Sequence, residues 1–198
     1  MGAGGTARSR GTPAGTVASA SGGVHSDAFA VLSAWSPPDV GQANLQRDFL
    51  AHLNAHEDGV WRHCLPDHIT GSAVIVRGDQ VLLVMHSKAG KWLQMGGHCE
   101  RDDASLAYVA LREAREESGI DGLRIDPVPL RLSRHHVPFC GGSNHLDIQF
   151  LVHAPADAEP SVPDGQDEVG WFTSAPEPTD QDVRDLIAAA MQRLRGTP

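Results

Sequence analysis

The sequence predicts one α/β domain, built as an α/β/α sandwich around a mixed sheet and preceded by a helical N-terminal extension. Short β-branched and apolar segments bounded by turn residues recur between residues 69 and 172, as in a sheet. Two longer segments, ending near residues 118 and 195, carry apolar residues at helical spacing. A length of 198 residues with 40% hydrophobic content is enough to bury one core.

The N-terminal third of the chain divides into two parts. Residues 1–26 contain no acidic residue and are rich in Gly, Ala, Ser and Thr, a composition typical of a disordered tail. Residues 27–65 carry two groups of apolar residues separated by Pro37-Pro38. Because proline interrupts a helix, this pattern predicts two short amphipathic helices that cap the domain.

Residues 66–198 contain the domain itself. A strand over 69–76, a turn over 77–80 and a strand over 81–86 predict a hairpin, and a short strand over 92–94 leads into a glycine loop at Gly96-Gly97. Further strands are predicted over 123–132, 146–152 and 168–172. The last helix is predicted over 179–195, with acidic residues in its first turn and arginines in its last.

The segment 97–120 is the most informative part of the chain. As a helix, it places three apolar residues and then three carboxylates on one face: Leu106, Val109 and Ala110, followed by Glu113, Glu116 and Glu117. The carboxylates crowd one another near a helix C-terminus, where the macrodipole disfavours negative charge. Burying them unpaired costs several kcal/mol, so a compensating cation is expected. Mg²⁺ and Mn²⁺ prefer oxygen ligands and suit this role.

Glutamate pairs on helices usually form a solvated face, which is the competing interpretation of this segment. Three neighbours favour a site instead. Arg112 lies at ion-pairing distance before Glu116, Gly119 ends the helix, and Gly96-Gly97 allows close approach of the backbone to an ion or phosphate.

The same segment resembles the Nudix box, G-x5-E-x7-R-E-U-x-E-E-x-G-U, in which U is aliphatic. Residues 112–120 (REAREESGI) match its second half, and Gly97 corresponds to its first glycine. The first half departs from the pattern, because one residue is inserted between Gly97 and Arg112 and the first box Glu is absent. Asp103 is the nearest acidic substitute. In the family that Glu supports the loop and the box Arg.

The order of strands, glycine loop and box helix is also similar to a Nudix domain, which implies a Nudix fold over about residues 66–198. The resemblance implies hydrolysis of a diphosphate linkage in a nucleoside diphosphate joined to another group. It implies Mg²⁺ or Mn²⁺ bound by Glu113, Glu116, Glu117 and the carbonyl of Gly97, with Arg112 orienting the glutamates. The general base of the family is a glutamate of the box or a carboxylate on a late loop; the late candidates here are Glu168 foremost, then Asp164 and Asp167. Each is equally typical of a solvated loop acid.

His98, Phe139 and His145 are the candidate substrate contacts. His98 adjoins Gly97, and an aromatic side chain such as Phe139 can stack on a base. Motifs that sort some Nudix subfamilies are not evident, so nucleoside triphosphates, nucleotide sugars, dinucleotides and non-nucleotide diphosphates all remain open. The histidines of this region also leave a transition-metal site open, although paired histidines in a loop are more often surface residues.

Charge and cysteine content restrict the partners. With a net charge of −9 and no basic stripe, long nucleic acid is a poor partner, whereas a small phosphorylated substrate bound through a metal is compatible. Cys64, Cys99 and Cys140 lack C-x-x-C spacing, which favours reduced thiols over a zinc site or disulfide framework. No apolar run is long enough for a membrane span, so a soluble cytoplasmic protein is expected, with a homodimer left open.

Two other functions are compatible with the resemblance. One is a catalytically silent Nudix module that binds a nucleotide for regulation, which the absent box Glu and the inserted residue favour. The other is an isomerase of allylic diphosphates that would use Cys99 and a Glu as acid and base. The three intact glutamates of the box favour the hydrolase over both.

Overall fold

The computed structural model describes Met1 and residues 23–138, 140–162 and 167–196. In chain order, the helices and strands of this part are α1 Val24–Ala34, α2 Val40–Ala55, β1 Asp67–Arg77, β2 Gln80–His86, β3 Lys91–Leu93, β4 Met95–His98, α3 Leu106–Ser118, β5 Arg124–Ile125, β6 Arg131–Val137, β7 Ser143–His153, β8 Glu168–Phe172 and α4 Gln181–Gly196. Of the tail predicted over residues 1–26, the structure describes Met1 and residues 23–26. Helix α1 begins within this predicted tail, at Val24.

A mixed sheet is built around β1. Strand β1 runs parallel to β7 along its length, antiparallel to β2 near its C-terminal end, and antiparallel to β4 near its middle. The β2 side continues into β3 and β8, and the β7 side pairs with β5 and β6. The predicted hairpin of β1 and β2 is confirmed. The mixture of parallel and antiparallel pairs brings residues from distant parts of the chain to one edge of the sheet.

Helices cover both faces of this sheet. Alternate residues of β1 such as Ile69 and Ile75 pack with α3, whereas Val74 and Val76 pack with α4 in a second apolar cluster. The α/β/α sandwich and the N-terminal helical extension are therefore confirmed. On the α4 face the apolar packing covers only the C-terminal half of β1. Toward the N-terminal end of β1, this strand and its partner β7 carry buried polar side chains on that face.

The N-terminal extension is part of the same core. Ala28, Leu32 and Phe49 are fully buried with the residues of α3. The carboxylate of Asp27 accepts a hydrogen bond of 2.7 Å from the backbone N–H of Leu106, the first residue of α3. The side chain of Gln42 pairs with both backbone groups of Leu132 in β6. The extension thus satisfies backbone groups that the domain would otherwise leave without a protein partner.

Two local predictions are wrong. The strand predicted over 123–132 is interrupted after Ile125, because Pro127 and Pro129 carry no N–H donor and Asp126 accepts the N–H of Val128 in a tight turn. The glycine loop at Gly96-Gly97 is instead strand β4. Its glycines are needed for packing, since a Cβ on Gly96 would collide with the side chain of Ser72 in β1.

Candidate active site

Helix α3 presents the carboxylates of the box at its C-terminal end. Ser105 caps the helix by accepting the N–H of Tyr108 at 3.1 Å, and Gly119 ends it in the left-handed conformation at φ 64°. The apolar half of its stripe is fully buried in the core. This anchoring fixes the rotation of the helix, so the glutamates one and two turns later point along the edge of the sheet where β4 lies.

The three glutamates differ in burial. The side chain of Glu113 is 16% exposed, that of Glu116 is 59% exposed, and Glu117 is partly buried. Glu113 packs directly against β4, because a Cβ on Gly97 would collide with its carboxylate. With glycine at this position the carboxylate of Glu113 lies directly against the strand, whereas any larger residue would displace it. Glu117 contacts the backbone of the neighbouring Gly96.

Burial at this point opposes ionisation of the carboxylates. It raises the pKa of Glu113, although Arg112 acts in the opposite direction. It raises the pKa of Glu117 to about 8, aided by repulsion from Glu113 and opposed by a hydrogen bond with the Gly96 backbone. The donor set is three carboxylates and the carbonyl groups of a glycine-rich strand. Such a set fits a hard divalent cation, which would relieve the crowding of charge.

Arg112 connects the two halves of the box. Its guanidinium donates to both oxygens of Asp103, at 3.0 and 3.1 Å, and to Glu113 at 2.8 Å. It also donates to Glu116 at 3.3 Å and to the carbonyl of His98 at 3.0 Å. Arg112 therefore holds the acidic side chains and strand β4 in one arrangement and has no donor turned only toward solvent.

Asp103, the acidic residue that the sequence offered in place of the absent box Glu, is a partner of Arg112. Its side chain is 2% exposed, and besides Arg112 it accepts the backbone N–H of Glu100 at 2.7 Å. The bidentate ion pair joins the loop before helix α3 to the arginine of that helix.

The late acids lie on and before β8. Glu168 is exposed and pairs in register with Met85 of β2. Asp167 accepts the backbone N–H of Ser87 at 3.2 Å, and its charge contributes to the raised pKa of Glu117. Asp164 lies outside the described residues. The electrostatic contact with the box carboxylates therefore comes from Asp167.

A buried polar stripe lies on the α4 face of the sheet, opposite the face that α3 covers. Its centre is Asp147 of β7, which is 2% exposed. Four side chains donate to this carboxylate: Thr70, Ser72, Gln94 and Gln149. This stripe was not predicted as a site. Residues 146–152 alternate between apolar and polar side chains, a pattern that predicts a strand with one solvated face. Only the pairing with β1 shows that the polar face is buried.

Two of the three predicted substrate contacts lie close together in the structure. His98 and His145 lie together, with ring centroids 4.9 Å apart, and His68 joins them. Cys140 lies beside them with its Sγ 3.5 Å from Nε2 of His98. Phe139 lies outside the described residues.

Burial raises the pKa of Cys99 to about 12, so its thiol is a poor nucleophile or acid for the isomerase alternative.

Comparison with known proteins identifies the family. The family model described as the NUDIX domain matches residues 67–189. The chain belongs to the Nudix family. The match begins at β1, so α1 and α2 of this Nudix protein precede it. No curated protein matches the chain significantly.

Solved structures share the fold at low sequence identity. A Nudix-family hydrolase from Clostridium perfringens is 22% identical with a TM-score of 0.54, covering 64% of this chain and 97% of its own. An Ap4A hydrolase from C. elegans, solved as a binary complex, is 17% identical with a TM-score of 0.55, covering 65% and 98%. An ADP-ribose pyrophosphatase from Streptococcus suis is 19% identical with a TM-score of 0.50, covering 66% and 93%. In the described residues, no helix is both long and apolar enough to cross a membrane.

Proposed function

We propose that this Nudix protein hydrolyses the diphosphate linkage of a small nucleoside diphosphate derivative, using Mg²⁺ or Mn²⁺ held by Glu113, Glu116, Glu117 and the carbonyl oxygen of Gly97. The observation that carries this proposal is the crowding of Glu113 and Glu117, both largely removed from solvent, against the glycines of strand β4. When bound, a divalent cation would neutralise phosphate oxygens and acidify water. Arg112 pairs with Glu113 and Glu116, and a cation would neutralise the charge that this one arginine leaves.

Arg112 acts as a positioning residue in this proposal. Its donors are directed at Asp103, at the glutamates and at the carbonyl of His98, so it aligns the acidic side chains rather than the substrate. A fixed arrangement of acidic side chains is what hydrolysis of an anhydride needs, because the reaction depends on positioning and charge neutralisation.

For the general base we favour Asp167 over Glu168. The Ser87 N–H holds Oδ2 of Asp167, which leaves Oδ1 to take a proton from the attacking water. Its interaction with Glu117 supports a location near the reaction centre. Glu168, the late acid that the sequence favoured, is exposed on β8 and serves as the matched comparison.

The polar stripe contains acceptors that lack a protein donor. Within the described residues, Oε1 of Gln94 and Oε1 of Gln149 are buried without a hydrogen-bond partner. Donors from a polar ligand or from ordered water would satisfy them. Two fold relatives are named for ADP-ribose and Ap4A, and a nucleotide derivative is accordingly the substrate class we assign here. The chain's net charge of −9 argues against long nucleic acid.

A substrate panel with product identification tests the proposal. Purified protein is assayed with Mg²⁺ and with Mn²⁺ against nucleoside triphosphates, nucleotide sugars, ADP-ribose, dinucleoside polyphosphates and allylic diphosphates. We expect metal-dependent cleavage of one nucleotide class, reduced at least about 10²-fold in the Glu116→Gln/Glu117→Gln double variant, because even loss of groups that only orient metal ligands costs 10- to 100-fold.

The same assay separates the alternatives. Unchanged turnover in the double variant would refute the metal assignment. Nucleotide binding without turnover would identify a regulatory module, and rearranged allylic diphosphate without hydrolysis an isomerase. Asp167→Asn is expected to lower kcat with little change in KM, whereas Glu168→Gln leaves kcat near the wild-type value. The reverse pattern would return the base to Glu168.

A further inference from the structure

We propose that His68, His98, His145 and Cys140 form a second metal site, a tetrahedral site for Zn²⁺ or a similar transition-metal ion. This site is separate from the carboxylates of the box and uses different chemistry. It assigns His98 and His145 a role other than substrate contact. It also gives Cys140 a function that cysteine spacing in the sequence does not indicate.

The pairing of strands brings the three histidines together. His68 of β1 and His145 of β7 are direct partners in the parallel ladder, so their side chains leave the same face of the sheet. His98 of β4 pairs with Thr70, two residues along β1 on that same face. The three ring centroids are 4.9 to 5.1 Å apart in every pair. Three imidazoles so arranged form a triangle with a common centre.

Cys140 closes the fourth side. Its Sγ is buried 3.5 Å from Nε2 of His98. One nitrogen from each histidine and this sulfur all lie within 4.8 Å of one another. Ligands of tetrahedral zinc, with bonds of about 2.0–2.3 Å, lie roughly 3.3–3.8 Å apart, so rotamer adjustments of about 1 Å complete the coordination.

Hydrogen bonding leaves two ring nitrogens of this cluster without a partner. Nδ1 of His68 lies 3.2 Å from the carbonyl oxygen of Cys64, which can only accept, so Nδ1 carries the proton and Nε2 has the lone pair. His68 is fully buried, and within the described part of the chain its Nε2 and that of His145 have no hydrogen-bond partner. Two buried nitrogens without a partner cost free energy, which a metal bound to both would recover.

The chemistry of the donor set selects the ion. A neutral imidazole loses no proton when it binds a metal. Cys140 binds as a thiolate, and its proton is released to solvent on binding. Imidazole and thiolate favour zinc over Mg²⁺, and four protein ligands make a closed, structural site.

The site would fix the strand that carries the box glycine. The ring of His98 faces the cluster, while its backbone carbonyl accepts from Arg112. Gly97, the preceding residue, lies against Glu113. A metal bound by these four residues would connect His98 of β4 to β1, to β7 and to the turn that contains Cys140. It would thereby hold β4 against α3, and it would take no part in the reaction itself.

Metal content and cobalt spectroscopy test this site independently of hydrolysis. The full chain is stripped with chelator under reducing conditions, incubated with Zn²⁺ in the presence of excess Mg²⁺, separated from free metal and measured by elemental analysis. We expect one tightly held zinc per chain and a rise in Tm of about 5–10 °C at hundredfold excess over Kd. With Co²⁺ we expect visible bands of tetrahedral cobalt and a thiolate charge-transfer band.

Variants locate the bound ion. Cys140→Ser should abolish the charge-transfer band, and His145→Asn should abolish stoichiometric zinc. Cys64→Ser and His136→Asn are the matched controls and should retain both, and Cys64→Ser also tests the more exposed group of His56, Asp58 and Cys64. Circular dichroism identifies any variant that fails to fold, and the cobalt spectrum of the wild type then decides by itself. The proposal is overturned by absence of retained zinc, by cobalt without a thiolate band, or by zinc that persists in both cluster variants.

Discussion

Two buried ionisable clusters lie on either side of the residues Gly97 and His98, and they respond to burial in opposite directions. The carboxylate cluster, Glu113 and Glu117, has raised pKa values, whereas the histidine cluster, His68, His98 and His145, has lowered ones. The cause is the same in both, because low polarity disfavours whichever form is charged. For an acid this form is the ionised one, and for an imidazole it is the protonated one.

The difference teaches how each cluster would be completed. Burial and mutual repulsion destabilise the ionised form of the carboxylates, so a hard cation that binds oxygen ligands would stabilise it. The imidazoles remain neutral with lone pairs that lack donors, so a softer cation completes them. The carboxylate cluster already holds one internal cation, Arg112, whereas the arginine that acts on the three histidines is the exposed Arg62.

Loss of Asp103, the bidentate partner of Arg112, should produce the largest change in the free energy of unfolding. Asp103→Asn replaces a carboxylate, 2% exposed, that accepts two bonds from Arg112. We expect the free energy of unfolding to fall by about 3 kcal/mol, since breaking a buried pair leaves an uncompensated charge. Denaturant titration measures it, with the exposed neighbour variant Asp102→Asn as control. A loss equal to that of the control would show that Glu113, Glu116 and the carbonyl of His98 satisfy Arg112 without Asp103.

The pH dependence of the metal-free protein should separate the two clusters. The folded pKa of Glu117 is about 8, above its unfolded value near 4.5, so the folded state binds more protons between these values. Stability should therefore fall as pH rises from about 4.5 to 8. Glu117→Gln removes this penalty, and we expect it to be more stable than wild type at pH 8 by on the order of 2 kcal/mol in chelator.

The comparison in this experiment is Glu116→Gln, whose side chain is 59% exposed. We expect no comparable gain from it at pH 8. A gain from Glu117→Gln that is equally large at pH 4 would point to packing instead of ionisation.

The histidine cluster should show the opposite slope with a smaller amplitude. The folded pKa of His145 is about 3, below its unfolded value of 6.5, so its contribution to stability is present above pH 6.5 and is lost as pH falls toward 3. In chelator, His145→Asn should lose about 1 kcal/mol less than wild type between pH 7.5 and pH 5. Thermal unfolding at the two pH values measures this, with the exposed His136→Asn as control. Equal losses in all three proteins would exclude a buried neutral His145.

The sequence predicted the carboxylate cluster because its members are close in the chain. Glu113, Glu116 and Glu117 follow helical spacing, and the partner Arg112 lies one residue away, so local geometry determines their arrangement. Asp103, a partner of Arg112 in the structure, was also among the residues the sequence named, because loop and helix are contiguous. Two local predictions were wrong for different reasons. The strand over 123–132 overlooked the local effect of Pro127 and Pro129, whereas strand β4 at Gly96-Gly97 depends on pairing with the distant β1.

The histidine cluster required the tertiary structure. His68, His98, Cys140 and His145 come from four segments, and only the register of β1 with β4 and β7 places them on one face. A shift of one residue in that register would turn His68 to the opposite face. The same is true of Asp147 and its four donors. By itself the sequence determined the family, the box helix and the position of its glutamates on one face, because these depend on short-range periodicity. The fold decided which polar residues of separate strands meet, because pairing across a sheet is set by contacts distant in the chain.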